Sequence, residues 1–349
     1  MTTTLSVSLL SIIFMVITLL ICFLVPIVLA IYFRVKLKAD ISPFFLGCLI
    51  FIVFVLILES SLNRTILLRT GTFGDTIINN PWLIALYGGL AAGIFEETGR
   101  FIGFKFIMKS KHKTSNALMY GAGHGGIEAI LLVGLTYINN LVFSLLINAG
   151  NLRTILGDKN NLLYDDISKL GTIPSQDFLL AGVERLCAIS LHIALSVLIY
   201  IAVTRKNKRY LYFVAVLLHA LVNFVTMIAS NYVSTLIVEL ILILIVFVIV
   251  IFVRRQYFEV KQEEENALVN INDLENKEEL IEVNIDEKLT YVEETLIVEE
   301  SRTESVEEVK VEVIDEIKVE VIEEVNEEVK EEVNEEVKEE VIVVGSEEV

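Results

Sequence analysis

The chain has 349 residues, 54% of them hydrophobic, with a net charge of −18 and a mean hydropathy of +0.65. These values exclude an ordinary soluble domain and describe a membrane protein with a soluble part attached. The charge is divided along the chain: residues 259–349 hold 34 acidic and 8 basic side chains, and residues 1–258 hold 12 and 20, so the acidic balance belongs to the tail and the body is mildly basic.

In chain order, apolar runs of membrane-spanning length occur at about 6–33, 43–60, 82–106, 115–147, 177–203, 210–230 and 232–253. A span needs roughly 17–25 apolar residues. The expected fold is therefore all-α, a polytopic transmembrane helix bundle of about seven spans over residues 1–255. The first run follows a polar start without basic residues and is too long for a signal-peptide core, so it reads as a retained span. The fourth run exceeds one simple crossing and is expected to tilt, protrude or break near Gly134 or Asn139-Asn140. Cys22, Cys48 and Cys187 lie singly in apolar runs and read as small buried hydrophobes, not as a disulfide or thiolate-metal set.

Basic residues follow the first, third, fifth and seventh runs: Arg34, Lys36 and Lys38; Lys105 to Lys113; Arg205 to Arg209; Arg254 and Arg255. Simple alternation puts all four clusters on one side. Positive charge marks the cytoplasmic side, so the N-terminus is expected outside a cell membrane and the C-terminus in the cytoplasm. Residues 256–349 form an acidic, low-complexity tail, expected to be disordered or a loose acidic helix. The unit EEVNEEVK occurs at 323–330 and again at 331–338. Valines every four residues drift by about 40° per step on a helix and make no lasting stripe. An unidentified cytoplasmic partner is the functional alternative for this tail.

Charged groups inside spans are costly and persist where they face a bundle interior or a wet cavity. The third run carries Glu96, Glu97 and Arg100; the fourth His124 and Glu128; the fifth Glu184, Arg185 and His192; the sixth His219 and Asn223. Counting back from the basic clusters at about 1.5 Å per residue, Glu97, His124, His192 and His219 fall roughly 12–20 Å from one surface. Glu96 and Arg100, His124 and Glu128, and His219 and Asn223 are each spaced i,i+4 and share a helix face. The expectation is a polar pocket between the third, fourth, fifth and sixth spans. Glu184-Arg185 reads as a structural pair nearer the outer side.

A carboxylate beside an imidazole can hold a water and take its proton. His219 and Asn223 can donate hydrogen bonds to a developing oxyanion. No Ser or Cys stands out as a nucleophile and there is no HExxH; two histidines with a carboxylate leave a bound metal chemically open.

EETGR, GAGHGGIEA, ERLCAISLH and HALVN, at 96–100, 121–129, 184–192 and 219–223, resemble the YhfC family. That family is similar to the PrsW proteases and the CAAX prenyl endopeptidase/Abi group. The resemblance covers about residues 1–255 and implies a multi-spanning intramembrane endopeptidase. By carry-over, Glu96 activates the water with His124, Glu97 is its close partner, Arg100 orients the glutamates, and His219 and Asn223 form the oxyanion site. Glu128, Glu184, Arg185 and His192 are supporting residues. Family labels name a metalloprotease, whereas the prenyl-endopeptidase branch resembles a metal-free glutamate mechanism. No cofactor is therefore fixed; a zinc ion is compatible, with ligands among Glu97, His124, His192 and His219. The expected substrate is a membrane protein or lipidated peptide in the lipid bilayer, and no nucleic-acid partner is expected. Two other classes stay open: a non-catalytic immunity or scaffold protein of the same fold, and a proton-coupled transporter.

Overall fold

The computed structural model describes residues 6–67, 72–109, 111–156 and 161–300. Among these there is no β-strand. The long helices are α1 (Leu9–Lys36), α2 (Ser42–Leu67), α3 (Pro81–Ile102), α4 (Thr114–Asn148), α5 (Ser175–Thr204), α6 (Leu211–Ala229) and α7 (Thr235–Glu300). Local chemistry sets several ends. Ser8 caps α1 by accepting from Ser11 N–H, and Asn80 caps α3 by accepting from Trp82 and Leu83 N–H, with Pro81 at the first helical position.

Among the described residues six helices are long and apolar enough to cross a membrane: α1, α2, α4, α5, the stretch Lys206–Ala229 that contains α6, and α7 over Thr235–Val269. The remaining long helix, α3, has 22 residues. It falls short on composition, because Glu96, Glu97 and Arg100 sit within it. The polar charge of the site thus accounts for the difference from the seven runs of the sequence.

The fourth run does not split. α4 continues through a π-helical stretch, Ala129–Gly134, that ends at Gly134. α2 contains another, Ile52–Glu59, and α3 is prolonged by a third, Gly103–Ile107. Such stretches insert an extra residue and often mark functional sites.

α3 lies along α6, α2 along α4, α4 along α5, and α1 along α5 and α4. Close backbone approach depends on missing side chains. A Cβ on Gly123 of α4 would run into the Phe44 carbonyl of α2, and one on Gly89 of α3 would stand 2.6 Å from the Ala220 carbonyl of α6. α5 is the central helix: 67% of its apolar stretch is buried, against 22–28% in the other five. Large apolar side chains such as Ile13, Leu20, Leu217 and Phe247 face outward, as expected where hydrocarbon is the solvent.

The connections sort to two ends. Asp40 N–H donates to Asn116 Oδ1, Lys111 Nζ to Ser42 Oγ, and Lys208 Nζ to Glu259 Oε2; the His112 ring meets Tyr200. These contacts join the α1–α2, α3–α4 and α5–α6 connections, all rich in Lys and Arg, at one end with the later part of α7. At the other end Val7 N–H donates to Asn148 Oδ1, and Ser8 and Ser11 meet Ser175.

One compact unit covers Met1–Gln262 and a second Glu263–Val349. In the second, residues up to Glu300 are helical. The expectation of disorder over 301–349, including both EEVNEEVK units, lies outside the described residues.

Candidate active site

The π-free upper turns of α3 present Glu96, Glu97 and Arg100 to the bundle interior. Glu97, Arg100 and His124 are fully buried, and Glu96 is 6% exposed. Charges so enclosed require partners, since a lone buried ion costs several kcal/mol even after relaxation (roughly). The partners come from three other helices.

Glu96 is the hub. Its Oε2 lies 2.8 Å from His124 Nε2 of α4, 3.7 Å from His192 Nδ1 of α5 and 3.5 Å from Arg100 Nη2. Its Oε1 lies 3.7 Å from His219 Nε2 of α6. The rings of His124 and His192 are 4.9 Å apart between centroids, and those of His192 and His219 5.5 Å. Three histidines from three helices thus converge on one carboxylate.

A second layer holds this set. Glu97 Oε1 pairs with Arg100 and lies 2.7 Å from His219 Nδ1. Glu128 pairs through Oε2 with His192 Nε2 and accepts at Oε1 from Arg185 Nη1 at 2.9 Å. Arg185 also pairs with Glu184, and Arg100 Nη2 contacts His192 Nδ1. A continuous polar chain therefore runs from Glu184 and Arg185 through Glu128, His192 and Arg100 to Glu97 and His219. Arg185, read from the sequence as half of a structural pair and by resemblance as a supporting residue, is tied into the cluster through Glu128 and Glu184.

All ten residues singled out in the sequence are placed at or beside this chain. The i,i+4 spacings put each pair on one face, yet only Glu96 and Arg100 meet directly. His124 goes to Glu96 and Glu128 to His192. His219 and Asn223 line the same cavity, where Asn223 is half-buried. That cavity, about 440 Å³, is also lined by Glu96, Glu128, His192 and Arg185.

Two acidic residues were not singled out in the sequence. Glu59, in the π-helical stretch of α2, is buried and accepts from Asn63, which in turn accepts from the Tyr87 hydroxyl. Glu239, one turn into α7, is 5% exposed and lines the cavity. Each is a lone carboxylate in an apolar run, and the rule that ionisable residues inside spans are functional candidates would have found both.

The donor set bears on a metal. Ligand atoms of Glu96, His124 and His192 all lie within 4.8 Å of one another. His192 keeps one ring nitrogen toward Glu96 and the other on Glu128; His219 likewise has Glu97 on its far nitrogen. Of the two imidazoles in that group, His192 has a carboxylate behind it, Glu128, the usual support of a zinc ligand. Two imidazoles and a carboxylate fit a divalent cation of that kind. The carboxylate in this group is Glu96; Glu97, named as a ligand candidate from the sequence, is instead committed to Arg100 and His219.

Helices with an apolar exterior around a buried Glu–His–Arg cluster define a polytopic membrane protein with a polar interior site. The model of the family described as YhfC intramembrane metalloprotease matches residues 21–250, and the chain belongs to the YhfC family. It is 38% identical over 216 residues to the uncharacterized membrane protein YhfC of Bacillus subtilis (strain 168), covering 61% of this chain and 83% of that protein. No solved structure matches.

Proposed function

We propose that the chain is an intramembrane endopeptidase that hydrolyses a peptide bond with a water held at Glu96. The observation that carries this reading is the convergence of His124, His192 and His219 on Glu96 at the wall of a cavity large enough for a peptide segment. A structural ion-pair network needs neither three imidazoles on one carboxylate nor an open space beside it. The family description supports the same class of reaction.

In this reading Glu96, aligned by His124, takes a proton from the water as its oxygen bonds to the scissile carbonyl carbon. His219 and Asn223 face the cavity where the carbonyl oxygen becomes negative, and each can donate a hydrogen bond there. Collapse of the tetrahedral species breaks the C–N bond, and the proton on Glu96 goes to the leaving amine. Arg100 and Glu97 hold Glu96 and His219 in place. Glu128, with Arg185 behind it, fixes the His192 ring. Glu96, His124 and His192 would also hold a divalent cation, which supplies a Lewis acid and lowers the pKa of a bound water.

The substrate is a membrane protein or lipidated peptide, reached from within the bilayer. The N-terminus lies outside and the tail in the cytoplasm, with the four basic clusters on the inner face. The test is co-expression with single-span reporter proteins. The expected result is a cleaved reporter with the parent chain and none with Glu96→Gln. A cellular phenotype of the chain that Glu96→Gln fully restores would contradict catalysis and favour a scaffold of the same fold.

A further inference from the structure

The cavity holds a second acidic group besides those used above. α7 lends it Thr235, Val238, Glu239 and Leu242, and Leu242, Val246, Ile249 and Val253 of the same helix join a buried apolar cluster that also includes residues of α5. Glu239 is 5% exposed, and its Oε2 has no hydrogen-bond partner among the described residues. The other carboxylates of the cavity are provided for: Glu96 by His124 and Arg100, Glu128 by His192 and Arg185, Glu184 by Arg185. The charged groups that act on Glu239 are Glu184 and Arg185, and Arg185 is already engaged by Glu128 and Glu184. A buried carboxylate whose nearby guanidinium is shared with two other carboxylates is costly, and a cationic ligand would offset that cost. Thr226, Ser230 and Thr235 line the same cavity and offer hydroxyl oxygens to further N–H groups of such a ligand.

We infer that Glu239 is a specificity-determining residue that takes a cationic nitrogen of the substrate, a Lys or Arg side chain or a free amino terminus, in the cavity that holds Glu96. This inference rests on the peptidase reading for the name substrate, but the cation site stands on its own geometry. It gives a role to the one acidic residue in the first turns of α7. It also gives the substrate a direction, with the scissile bond at Glu96 and the positive group toward α7.

The test uses fluorescent single-span peptides in nanodiscs, identical except that one carries Lys, one norleucine and one Glu at a scanned position, each with a free or acetylated amino terminus. Binding is read as Kd on the full chain carrying Glu96→Gln, so that nothing is cut, and on the same chain with Glu239→Gln or Glu239→Lys added. Cleavage of the same peptides is read on the parent chain. The expected result is that one cationic form binds about tenfold or more tighter than its neutral counterpart. Glu239→Gln brings that ratio to about one, and Glu239→Lys turns the preference to a peptide carrying Glu. The Lys and amino-terminal arms assign which source supplies the nitrogen. Equal Kd values for all peptides, or a ratio that survives Glu239→Gln, overturn the inference. A Glu239-dependent ratio without cleavage by the parent chain leaves the cation site standing and removes the peptidase reading instead.

Discussion

Glu97 and Arg100 show how few alternatives a buried charge has. Both are fully buried, Glu97 answers Arg100 and His219, and Arg100 has Glu96, Glu97 and His192 around it. Removing one member leaves the other uncompensated, so Glu97→Ala is expected to lower stability by about 3–5 kcal/mol, read as a fall in thermal unfolding temperature in detergent. Arg100→Lys is not expected to restore the set, because one ammonium cannot serve two carboxylates and an imidazole as a planar fork does. Retention of wild-type stability by either variant would contradict this assignment. Glu128 acts through His192. Glu128→Gln is expected to reduce cleavage by about 10–100-fold while the protein stays folded, and an unchanged rate would show that the pairing does not position the ring. These pairings were only half legible in the sequence. The i,i+4 spacings marked the faces, but they could not say that His124 would meet Glu96 while Glu128 met His192, because that depends on how helices rotate against one another.

At the scale of elements, the site is placed by close helix contacts that glycine permits. α3 carries adjacent glycines with different surroundings: a Cβ at Gly89 would meet the Ala220 carbonyl at 2.6 Å, whereas at Gly88 the nearest atom is the Met227 sulfur at 3.9 Å. Gly89→Ala is therefore expected to push α3 off α6, with a loss of about 1–3 kcal/mol, and to reduce cleavage, since Glu97 and His219 sit across that interface. Gly88→Ala is expected to be nearly silent. Thermal unfolding of the two variants side by side checks this, and equal behaviour would count against the packing. The helices themselves were readable from apolar length. What length could not settle was α3, whose charges make it too polar for a span by composition, and α4, which runs on through a π-helical stretch at 129–134 without a break. The carboxylates of α2 and α7 formed no motif with a neighbour, so pattern reading passed over Glu59 and Glu239.

For the whole molecule, the family match ends at residue 250 and the first compact unit at Gln262. A stop after Gln262 is expected to leave a folded membrane domain with the cleavage activity of the full chain. Loss of activity on that truncation, with the protein still inserted, would give the acidic tail a part in the chemistry. The joining of three basic connections at one end of the bundle makes the orientation testable as well. Single cysteines placed in the 148–176 connection are expected to react with an impermeant thiol reagent on intact cells, and cysteines placed after Arg255 only after permeabilisation. The reverse pattern would invert the proposed topology and put the site at the other membrane face.

Whether Glu96 and the histidines around it hydrolyse a peptide bond is decided with purified protein in liposomes and membrane-embedded and CAAX-type reporter peptides. Wild type, Glu96→Gln and His124→Ala are compared, each with and without a zinc chelator. Wild type is expected to cleave, with a loss of at least about 10²-fold in both variants while each stays folded and inserted. Loss of wild-type cleavage on chelation, restored by zinc, would place a metal at Glu96, His124 and His192; insensitivity to the chelator would leave Glu96 as the base alone. Cleavage that persists at the wild-type rate in Glu96→Gln would show that Glu96 is not the base.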